Sequence, residues 1–348
     1  MRYKLLGRSG LRVSELSLGT MTFGEDWGWG ASRDESRKIF DAFVRAGGNF
    51  IDTACNYTNG SSERLVGEFV ASDRDRFVVA TKYSLTARPS DPNGGGNHRK
   101  NLLQSLHGSL KRLGTEHIDL LWLHAWDFLT PVDEIMRALD DVVRAGKVGY
   151  IGISDTPAWI VSQANMLADL RGWSPFVGLQ IQYSLIERTP ERDLLPMAKA
   201  LDLGVTSWGA LGSGVLTGKY KAGEARPSGA RLASGPWSEA TLTERNLGIG
   251  QVVADVAKDL GKSPSQVAIS FVLHQQARAQ MIPILGARTV RQLDDNLGAL
   301  TLPLGADQLA KLDAASRIEL GFPHAFLQNA DGFLFGEVRP LIDTPTRR

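Results

Sequence analysis

The sequence alternates eight times between a short apolar run and an amphipathic segment with helical spacing. The apolar runs are continuous, which is typical of strands buried on both faces of a parallel sheet. They lie at residues 14–20, 49–53, 77–82, 118–124, 148–154, 176–182, 205–211 and 281–286. The helical segments lie at residues 34–47, 61–71, 100–114, 131–146, 156–170, 191–204, 263–275 and 289–300. Eight strand–helix units in one α/β chain predict a single (β/α)8 barrel, the TIM barrel fold.

The main alternative to a barrel is an open, doubly wound sheet. Such a sheet usually has fewer strands and a GxGxxG turn after its first strand. Here the first apolar run leads into GTMTFG, which lacks that spacing. Before it, the first 20 residues predict a β-hairpin that turns at GRSG. Segments 86–99 and 212–240 are rich in glycine, proline and serine, and predict long loops after two of the strands.

The barrel is predicted to span residues 1–316, because no linker-like change in composition interrupts them. Residues 317–348 form a tail that has no clear helical period. Its phenylalanines are Phe322, Phe326, Phe333 and Phe335. Because an exposed apolar set of this kind is unfavourable, we expect the tail to pack on the barrel. It would cover either the pocket or an interface, and both placements stay open.

The composition excludes several classes of partner. The formal net charge of +1 gives no field that would attract nucleic acid or an anionic membrane. No apolar run approaches the roughly 20 residues needed to span a bilayer. The amino-terminal residues lack a signal-peptide core, and the single cysteine, Cys55, fits a reducing cytoplasm. The six histidines lack metal-binding spacing. We therefore expect a cytoplasmic protein without a metal centre.

Polar, reactive side chains stand where three successive apolar runs end. Asp52 ends the second run, Lys82 the third and His124 the fourth, while Tyr57 lies just beyond Asp52. The carboxyl ends of barrel strands meet at one mouth, so these four side chains are predicted to converge there. Each also has a plainer interpretation. Asp52 and Lys82 can form a structural ion pair, His124 can be a hydrogen-bonded core histidine, and Tyr57 can be packing.

Taken together, the four side chains suit general acid catalysis. A tyrosine with a pKa near 10 is a weak acid at neutral pH, and an adjacent lysine ammonium lowers that pKa. Asp52 would hold Lys82 in place, and His124 would orient a carbonyl oxygen by a hydrogen bond. This set predicts that Tyr57 donates a proton during carbonyl reduction. No serine or cysteine nucleophile motif offers a competing scheme.

These residues, with the segments around them, resemble those of a known family. Over residues 1 to about 315 the chain is similar to the aldo-keto reductases, and most of all to the bacterial branch that also resembles the voltage-gated potassium channel β subunits. The resemblance rests on GTMTFG, NFIDTACNYTNGSSERLVGE, VVATK, SLKRLGTEHIDLLWLH, GKVGYIGIS, QIQYSLIER and GARTVRQLDDNLGAL. It implies a catalytic tetrad of Asp52, Tyr57, Lys82 and His124. It also implies NADPH (NADP when oxidised) bound across the barrel mouth without a Rossmann fold.

The resemblance further implies which residues contact the cofactor. Those at the nicotinamide and its ribose are Gly19, Thr20, Met21, Asp52, Ser154, Asp155, Gln180, Trp208 and Gly209. Those at the pyrophosphate are Leu211, Gly212, Ser213, Gly214 and Lys219. Those at the adenosine 2′-phosphate and adenine are Gly286, Ala287, Arg288, Gln292 and Asn296.

At three of these positions the residue type bears on how the cofactor would be held. The family usually has asparagine where this chain has Asp155, and an aspartate can accept from the carboxamide nitrogen but cannot donate to its oxygen. Arg288 suits a phosphate because its planar fork makes bidentate charged hydrogen bonds, although it can also be a solvated loop residue. Trp208 is implied to stack on the nicotinamide, and its alternative is a place in the core.

The substrate is predicted to be a small-molecule aldehyde or ketone, chosen by loops 23–31 and 86–99. Trp27 and Trp29 favour an apolar or flat substrate beside Tyr57 and His124, or else they are plain packing. We predict an NADPH-dependent oxidoreductase that reduces a carbonyl to an alcohol. Two other functions stay open. One is a cofactor-binding regulatory or redox-sensing subunit with slow turnover, and the other is a cofactor-free lyase or isomerase.

Overall fold

A computed structural model describes residues 1–86, 88–221, 223–226, 232 and 236–343 of the chain. The chain divides into two units, Met1–Ser316 and Arg317–Arg348. The first unit begins with an antiparallel hairpin of strands β1 (Tyr3–Leu5) and β2 (Arg12–Ser14). The hairpin predicted at the start of the chain is therefore present.

Eight parallel strands then close into a barrel. They are β3 (Ser17–Gly19), β4 (Phe50–Asp52), β5 (Val78–Tyr83), β6 (Ile118–Leu123), β7 (Val148–Ser154), β8 (Phe176–Gln182), β9 (Gly204–Trp208) and β10 (Gln280–Gly286). Each strand pairs with its neighbour in the chain, and β10 returns to pair with β3. Closure excludes the open sheet and confirms the predicted barrel, with strand ends shifted by at most three residues.

Helices follow the strands and surround the barrel. They are α1 (Arg33–Arg45), α2 (Ser61–Val70), α3 (Arg99–Leu113), α4 (Val132–Arg144), α5 (Ala158–Arg171), α6 (Leu194–Ala200), α7 (Pro236–Thr241), α8 (Glu244–Leu260), α9 (Pro264–Leu273), α10 (Val290–Leu297) and α11 (Ala306–Ser316). The second unit holds α12 (His324–Leu327) and α13 (Asp331–Phe335). In the described part of the chain, no helix is long and apolar enough to cross a membrane.

Helices α8 and α11 are additions to the elements that the sequence pattern predicts. Helix α8 is capped by Thr243, whose side chain accepts from Asn246 N, and it ends at Gly261 in the left-handed conformation. Two glycines inside it weaken its helical signal. One of them, Gly250, is needed for packing, because a Cβ there would lie 3.0 Å from Val215 O. The sequence therefore gives only a weak helical signal where the structure has a helix, because tertiary contacts override the low helix propensity of glycine.

The two predicted loops differ in how much of them the structure describes. Between β5 and α3, the described residues of segment 86–99 contain no helix or strand, as predicted, except that the last of them, Arg99, begins α3. Segment 212–240 contains a 3-10 turn at Gly212–Thr217 and helix α7, so it is only partly loop. Residues 222, 227–231 and 233–235 of this segment lie outside the described residues.

A large aromatic side chain lies in the barrel interior, in a buried cluster that also holds Phe50 and Leu120. Trp122 of β6 is fully buried, and the neighbouring strand leaves room for it at Gly152. A Cβ on Gly152 would lie 2.3 Å from the indole, and one on Gly178 would lie 2.8 Å from it. The hairpin closes the amino-terminal end of the barrel, where Gly7 packs against the backbone of Asp202. The carboxyl-terminal end is therefore the end that can admit ligands.

The second unit clusters its aromatic rings. Phe326 lies 6.5 Å from Phe333 in a stacked arrangement, and 6.5 Å from Phe322, measured between ring centroids. These contacts are local to the tail. That the tail packs on the barrel stays a prediction.

Candidate active site

A buried ion pair occupies the barrel mouth at the ends of β4 and β5. Lys82 Nζ donates to Asp52 Oδ2 at 2.5 Å and to Thr53 O at 2.8 Å. Asp52 is 3% exposed and Lys82 is fully buried. Because a buried charge without a partner strongly destabilises a fold, each of these residues requires the other. The predicted contact between the two side chains is therefore present.

The remaining oxygen of the Asp52 carboxylate is also held. Gln180 Nε2 of β8 donates to Asp52 Oδ1 at 2.9 Å. The backbone carbonyl of Asp52 accepts from both the N–H and the hydroxyl of Thr20, at 2.9 and 3.0 Å. Gln180 thus helps to fix the carboxylate, and Thr20 helps to fix the backbone of the same residue. Both residues were predicted as cofactor contacts. One N–H of the Gln180 amide is used by Asp52, which leaves its other N–H and its oxygen for a ligand.

Tyr57 is brought beside this pair by a tight turn. It begins the 3-10 turn Tyr57–Gly60, in which Thr58 and Asn59 have positive φ angles of 43° and 53°. Lys82 Nζ lies 4.7 Å from the centroid of the Tyr57 ring. The ring of His124 lies 5.9 Å away, edge-on at 80°. The four side chains predicted as a catalytic tetrad therefore meet at one point of the mouth.

The pKa of Tyr57 depends on burial and on the charges around it. Burial raises the pKa of the phenol above its ordinary value, while the Lys82 ammonium lowers it and Asp52 raises it further. The net direction is upward, so the Lys82 ammonium lowers this pKa as predicted but does not bring it below its ordinary value. The reason is that desolvation of the phenolate outweighs its attraction to the ammonium. Tyr57 therefore keeps its proton at neutral pH.

His124 is a buried, neutral imidazole. Burial, and then the Lys82 charge, lower the pKa of His124 well below its usual value. Its Nδ1 is buried and has no hydrogen-bond partner among the described residues. A satisfied core histidine would have one, so the structure disagrees with that plainer interpretation. A neutral imidazole donates from one ring nitrogen and accepts at the other, which suits contact with a ligand oxygen.

An aromatic wall stands beside Tyr57. Trp27 lies 6.4 Å from the Tyr57 ring and 5.8 Å from Trp29, measured between centroids. Their loop is closed at its base by a bridge between Phe23 and Ala31. Thr58 Oγ1 donates to Phe23 O at 2.7 Å, which joins that base to the Tyr57 turn. Both tryptophans are partly exposed, as expected for side chains that face a ligand.

The ends of β7, β8 and β9 form the region predicted to hold the nicotinamide. Ser154 pairs with Gln180 across these strands, and its buried hydroxyl makes no well-aligned hydrogen bond to the described residues, although it lies close enough to the Asp155 carboxyl to lower that group's pKa. Trp208, half-buried at the end of β9, donates from Nε1 to Asp155 Oδ1 at 3.2 Å. A buried hydroxyl without a well-aligned partner is expected where the polar group of a ligand completes the site. These residues therefore fit a carboxamide ligand.

Glycines give this region close backbone approaches. Gly19 pairs with Asp52 on one side and with Gly286 on the other, and a Cβ on Gly19 would lie 2.6 Å from Ile284 Cγ2. Met21 is partly buried just beyond it. Gly209, directly after Trp208, has a φ of 75°.

The segment predicted for the pyrophosphate is a strained turn with a cation against it. Gly212, Ser213 and Gly214 have φ angles of 54°, 53° and 97°, and Gly214 N donates back to Leu211 O at 2.9 Å. A Cβ on Gly214 would lie 2.5 Å from Lys219 Nζ. The ammonium therefore sits directly on the turn, where it can attract an anion.

The segment predicted for the adenosine 2′-phosphate turns from β10 into α10. Arg288 N donates to Gln292 Oε1 at 2.8 Å, so the Gln292 side chain is engaged by the backbone of its neighbour. Asn296 Nδ2 reaches Gly286 O at 3.5 Å, and Ala287 O accepts from Thr22 Oγ1 at 2.7 Å. Arg288 itself is partly exposed at the start of the helix.

The sequence reasoning missed a cluster of hydroxyls and charges behind the ion pair. Ser62 Oγ donates to Thr20 O at 2.7 Å and lies 2.8 Å from Thr53 Oγ1. Glu63 is fully buried, accepting from Thr81 Oγ1 at 2.6 Å and from Arg112 Nε at 2.5 Å. The run SSER at the start of α2 carried a signal for this cluster, since it combines polar side chains with a predicted buried helix face.

The loop after His124 was also missed. Asp127 Oδ2 accepts from Asn97 N at 2.7 Å, and Asn97 Oδ1 accepts from Asp127 N at 2.8 Å. This reciprocal pair fastens loop 86–99 to the loop that follows β6. The tip of the latter loop exposes an apolar pair, Phe128 at 69% and Leu129 at 88%.

Comparison with known proteins places this geometry in one family. The family model for the Aldo/keto reductase family matches residues 15–317. An aryl-alcohol dehydrogenase of Pestalotiopsis microspora is 38% identical over 94% of this chain and 85% of its own length. A norsolorinic acid reductase of Emericella nidulans is 37% identical over 92% and 82%, and an aldo-keto reductase of the same organism is 36% identical over 93% and 83%. The chain therefore belongs to the aldo/keto reductase family.

Proposed function

We propose that the protein is an NADPH-dependent oxidoreductase that reduces aldehydes or ketones, with Tyr57 as the general acid. The observation that carries this proposal is the meeting of Tyr57 with Lys82, 4.7 Å from its ring, and with His124, 5.9 Å away. A proton donor, a cation and a neutral imidazole at one barrel mouth form a set that suits carbonyl reduction. The oxidoreductase names of its relatives support the same class of reaction.

Each of the four side chains has a role in this proposal. NADPH, when bound, supplies the hydride to the carbonyl carbon. The Tyr57 hydroxyl gives its proton to the carbonyl oxygen, and the O–H bond of the phenol breaks as that of the alcohol forms. Lys82 stabilises the phenolate that remains, Asp52 holds Lys82, and the neutral His124 imidazole positions the oxygen by a hydrogen bond.

The buried Ser154 hydroxyl, which makes no well-aligned hydrogen bond to the described residues, supports a carboxamide-bearing cofactor. With Gln180 and Trp208, it would hold the nicotinamide. Lys219 on the turn at Gly212–Thr217 would hold the pyrophosphate. Arg288 would bind the 2′-phosphate, which is the group that distinguishes NADPH from NADH.

Aromatic carbonyls are the proposed substrate class. Trp27 stands edge-on to Tyr57 and next to Trp29, so a flat apolar substrate would meet ring faces on its way to the proton donor. One of the related proteins is named an aryl-alcohol dehydrogenase. This name says nothing of this chain by itself, but it agrees with the aromatic wall.

Two finer assignments remain proposals. The likeness to the branch that includes channel β subunits rests on motifs, and the relatives compared above are fungal. A cytoplasmic location is proposed because the sole cysteine, Cys55, is free and buried.

The test begins with the purified protein and NADPH. Quenching of tryptophan fluorescence should report binding, and loss of reduced-cofactor absorbance should follow when carbonyls are added. The panel should pair aromatic aldehydes with aliphatic aldehydes of equal carbon number, and we expect faster turnover of the aromatic members. Binding without turnover of any carbonyl would contradict the reductase and favour a regulatory subunit. Absence of binding would favour a cofactor-free barrel.

A further inference from the structure

The mouth carries a second carboxylate, and it differs from Asp52 in forming no ion pair with any residue that the structure describes. We propose that Asp155 makes this site prefer the oxidised, positively charged nicotinamide over the reduced, neutral one. The inference rests on the proposed function, since it needs a nicotinamide cofactor at this mouth. It goes further, because it assigns to Asp155 the site's preference between the oxidised and the reduced cofactor.

The position of Asp155 is fixed from three sides. It follows Ser154 at the end of β7, and its backbone N–H donates to Gln180 O at 3.2 Å. Its φ of 40° is a left-handed conformation, which aspartate and asparagine tolerate better than most residues. Its Oδ1 accepts from Trp208 Nε1. The carboxylate is thus held beside the indole and the Ser154 hydroxyl, the two groups that best fit a nicotinamide.

The charges around Asp155 compensate it only in part, through the distant field of Lys82. Asp52 is neutralised by Lys82, whereas Asp155 is bound by a neutral indole and has no ion pair with any residue that the structure describes. Its field nonetheless reaches the catalytic centre, because it raises the pKa of Tyr57 and its own pKa is lowered by Lys82. His124, the other titratable group that faces this space, is neutral. A cationic ligand ring here gains an attraction that a neutral ring does not.

This preference should depend on pH. Burial raises the pKa of the Asp155 carboxyl to about 6, although much of the residue borders solvent. The carboxylate is charged above that pKa and neutral below it. The preference for the cationic form is therefore complete near pH 7.5 and is lost as the pH falls through 6.

The experiment measures binding of NADP⁺ and NADPH separately by quenching of tryptophan fluorescence. Wild type and Asp155→Asn are compared at pH 5.5, 6.5 and 7.5, with NADPH readings taken promptly after mixing. Because both forms carry the same phosphates, phosphate titration cancels in the ratio of the two dissociation constants. At pH 7.5 we expect Asp155→Asn to weaken NADP⁺ about fivefold relative to NADPH, as for one unit charge at roughly 7 Å in partly solvated surroundings. At pH 5.5 the wild-type ratio should approach that of the variant.

The controls separate charge from structure. Asparagine keeps the oxygen that accepts from Trp208 and tolerates the positive φ, and a thermal melt checks its fold. Asp73→Asn removes an exposed carboxylate just before β5, at the closed end of the barrel, and should leave the ratio unchanged. The wild-type pH series tests the proposal without any substitution.

The outcomes are distinct. An equal change of both dissociation constants in Asp155→Asn would mean that Asp155 only positions Trp208, and it would overturn the inference. A wild-type ratio that does not vary with pH would do the same. Failure of both cofactor forms to bind the wild-type protein would contradict the proposed function and this inference together.

Discussion

The Lys82 ammonium donates to Asp52 and also lies over the ring of Tyr57, so a single buried cation joins the carboxylate to the phenol. The contact with Asp52 is what a structural ion pair requires. The contact with Tyr57 is what a proton donor requires. The two functions of Lys82 can be separated by substitution.

Lys82→Met should weaken the fold and abolish reduction. It leaves the Asp52 carboxylate buried without its cation, which should lower the free energy of unfolding by roughly 3–5 kcal/mol. The double variant Lys82→Met with Asp52→Asn removes the stranded charge and should regain stability while staying inactive. Urea unfolding measures the first effect, and turnover per folded molecule measures the second. Recovery of reduction in the double variant would show that Lys82 is structural.

Tyr57→Phe should remove most of the turnover while NADPH still binds. General acid catalysis typically contributes 10²- to 10⁴-fold, so a loss of roughly that size is expected. Tyr3→Phe serves as a matched control, because the Tyr3 hydroxyl donates to Gly47 O at 2.9 Å, outside the candidate site. The measurement is the steady-state rate of reduction of one aromatic aldehyde by wild type and by each variant. If Tyr57→Phe keeps more than about a third of wild-type turnover, another group is the proton donor.

Arg288 should make the protein prefer NADPH to NADH. A charged hydrogen bond to the 2′-phosphate contributes roughly 1.5–3 kcal/mol, which corresponds to about tenfold or more in affinity. Arg288→Ala should lose this preference, whereas Arg291→Ala should retain it, because Arg291 is an exposed arginine in the first turn of the following helix, α10. The measurement is the ratio of Michaelis constants for the two cofactors. Equal constants in the wild type would refute the assignment.

His124 should make the protein less stable in mild acid. Its pKa is lowered by folding, so below pH 6.5 the unfolded chain binds a proton that the folded chain does not. The free energy of unfolding should fall from this source by about 1.4 kcal/mol for each pH unit below 6.5. His124→Gln lacks the effect, so its stability relative to wild type should rise between pH 7.5 and 5.5. A constant difference across that range would mean that His124 is not held neutral.

Gly152→Ala should strain the barrel interior. The added Cβ would lie 2.3 Å from the Trp122 ring, and overpacking of a core typically costs about 1–3 kcal/mol. Gly10→Ala is the control, since no atom lies within 4 Å of its Cβ position. Adding Trp122→Leu should relieve part of the strain. Unchanged thermal stability in Gly152→Ala would show that the indole moves freely within the barrel.

The barrel and the ends of its strands are predictable from the sequence because parallel strands are buried on both faces. Such strands appear as uninterrupted apolar runs, and the first polar residue after each run marks the mouth. That is why Asp52, Lys82 and His124 are found by inspection. Helix α8 is not, because Gly248 and Gly250 weaken the local pattern while a contact with Val215, far away in the sequence, requires one of them.

The fine structure of the site depends on quantities that a linear pattern does not contain. The upward pKa shift of Tyr57 reflects how much water the fold removes, which no spacing of residues records. The bond from Gln180 to Asp52 joins residues 128 positions apart. The turn that aims Tyr57 depends on left-handed backbone at Thr58 and Asn59, and neither residue type specifies that conformation as glycine would.

The hydrogen bond from Thr58 to Phe23 fixes the position of the proton donor independently of the shape of the substrate space. It fastens the base of the tryptophan loop to the turn that carries the proton donor, whereas Trp27 at the tip meets that turn through an edge-on ring contact with Tyr57. Trp27 and Trp29 lie beyond the fastened base. Exchanging them would reshape the space that a substrate occupies while Tyr57 stays where it is. New substrates can thus be acquired at the tip of this loop without rebuilding the chemistry beneath it.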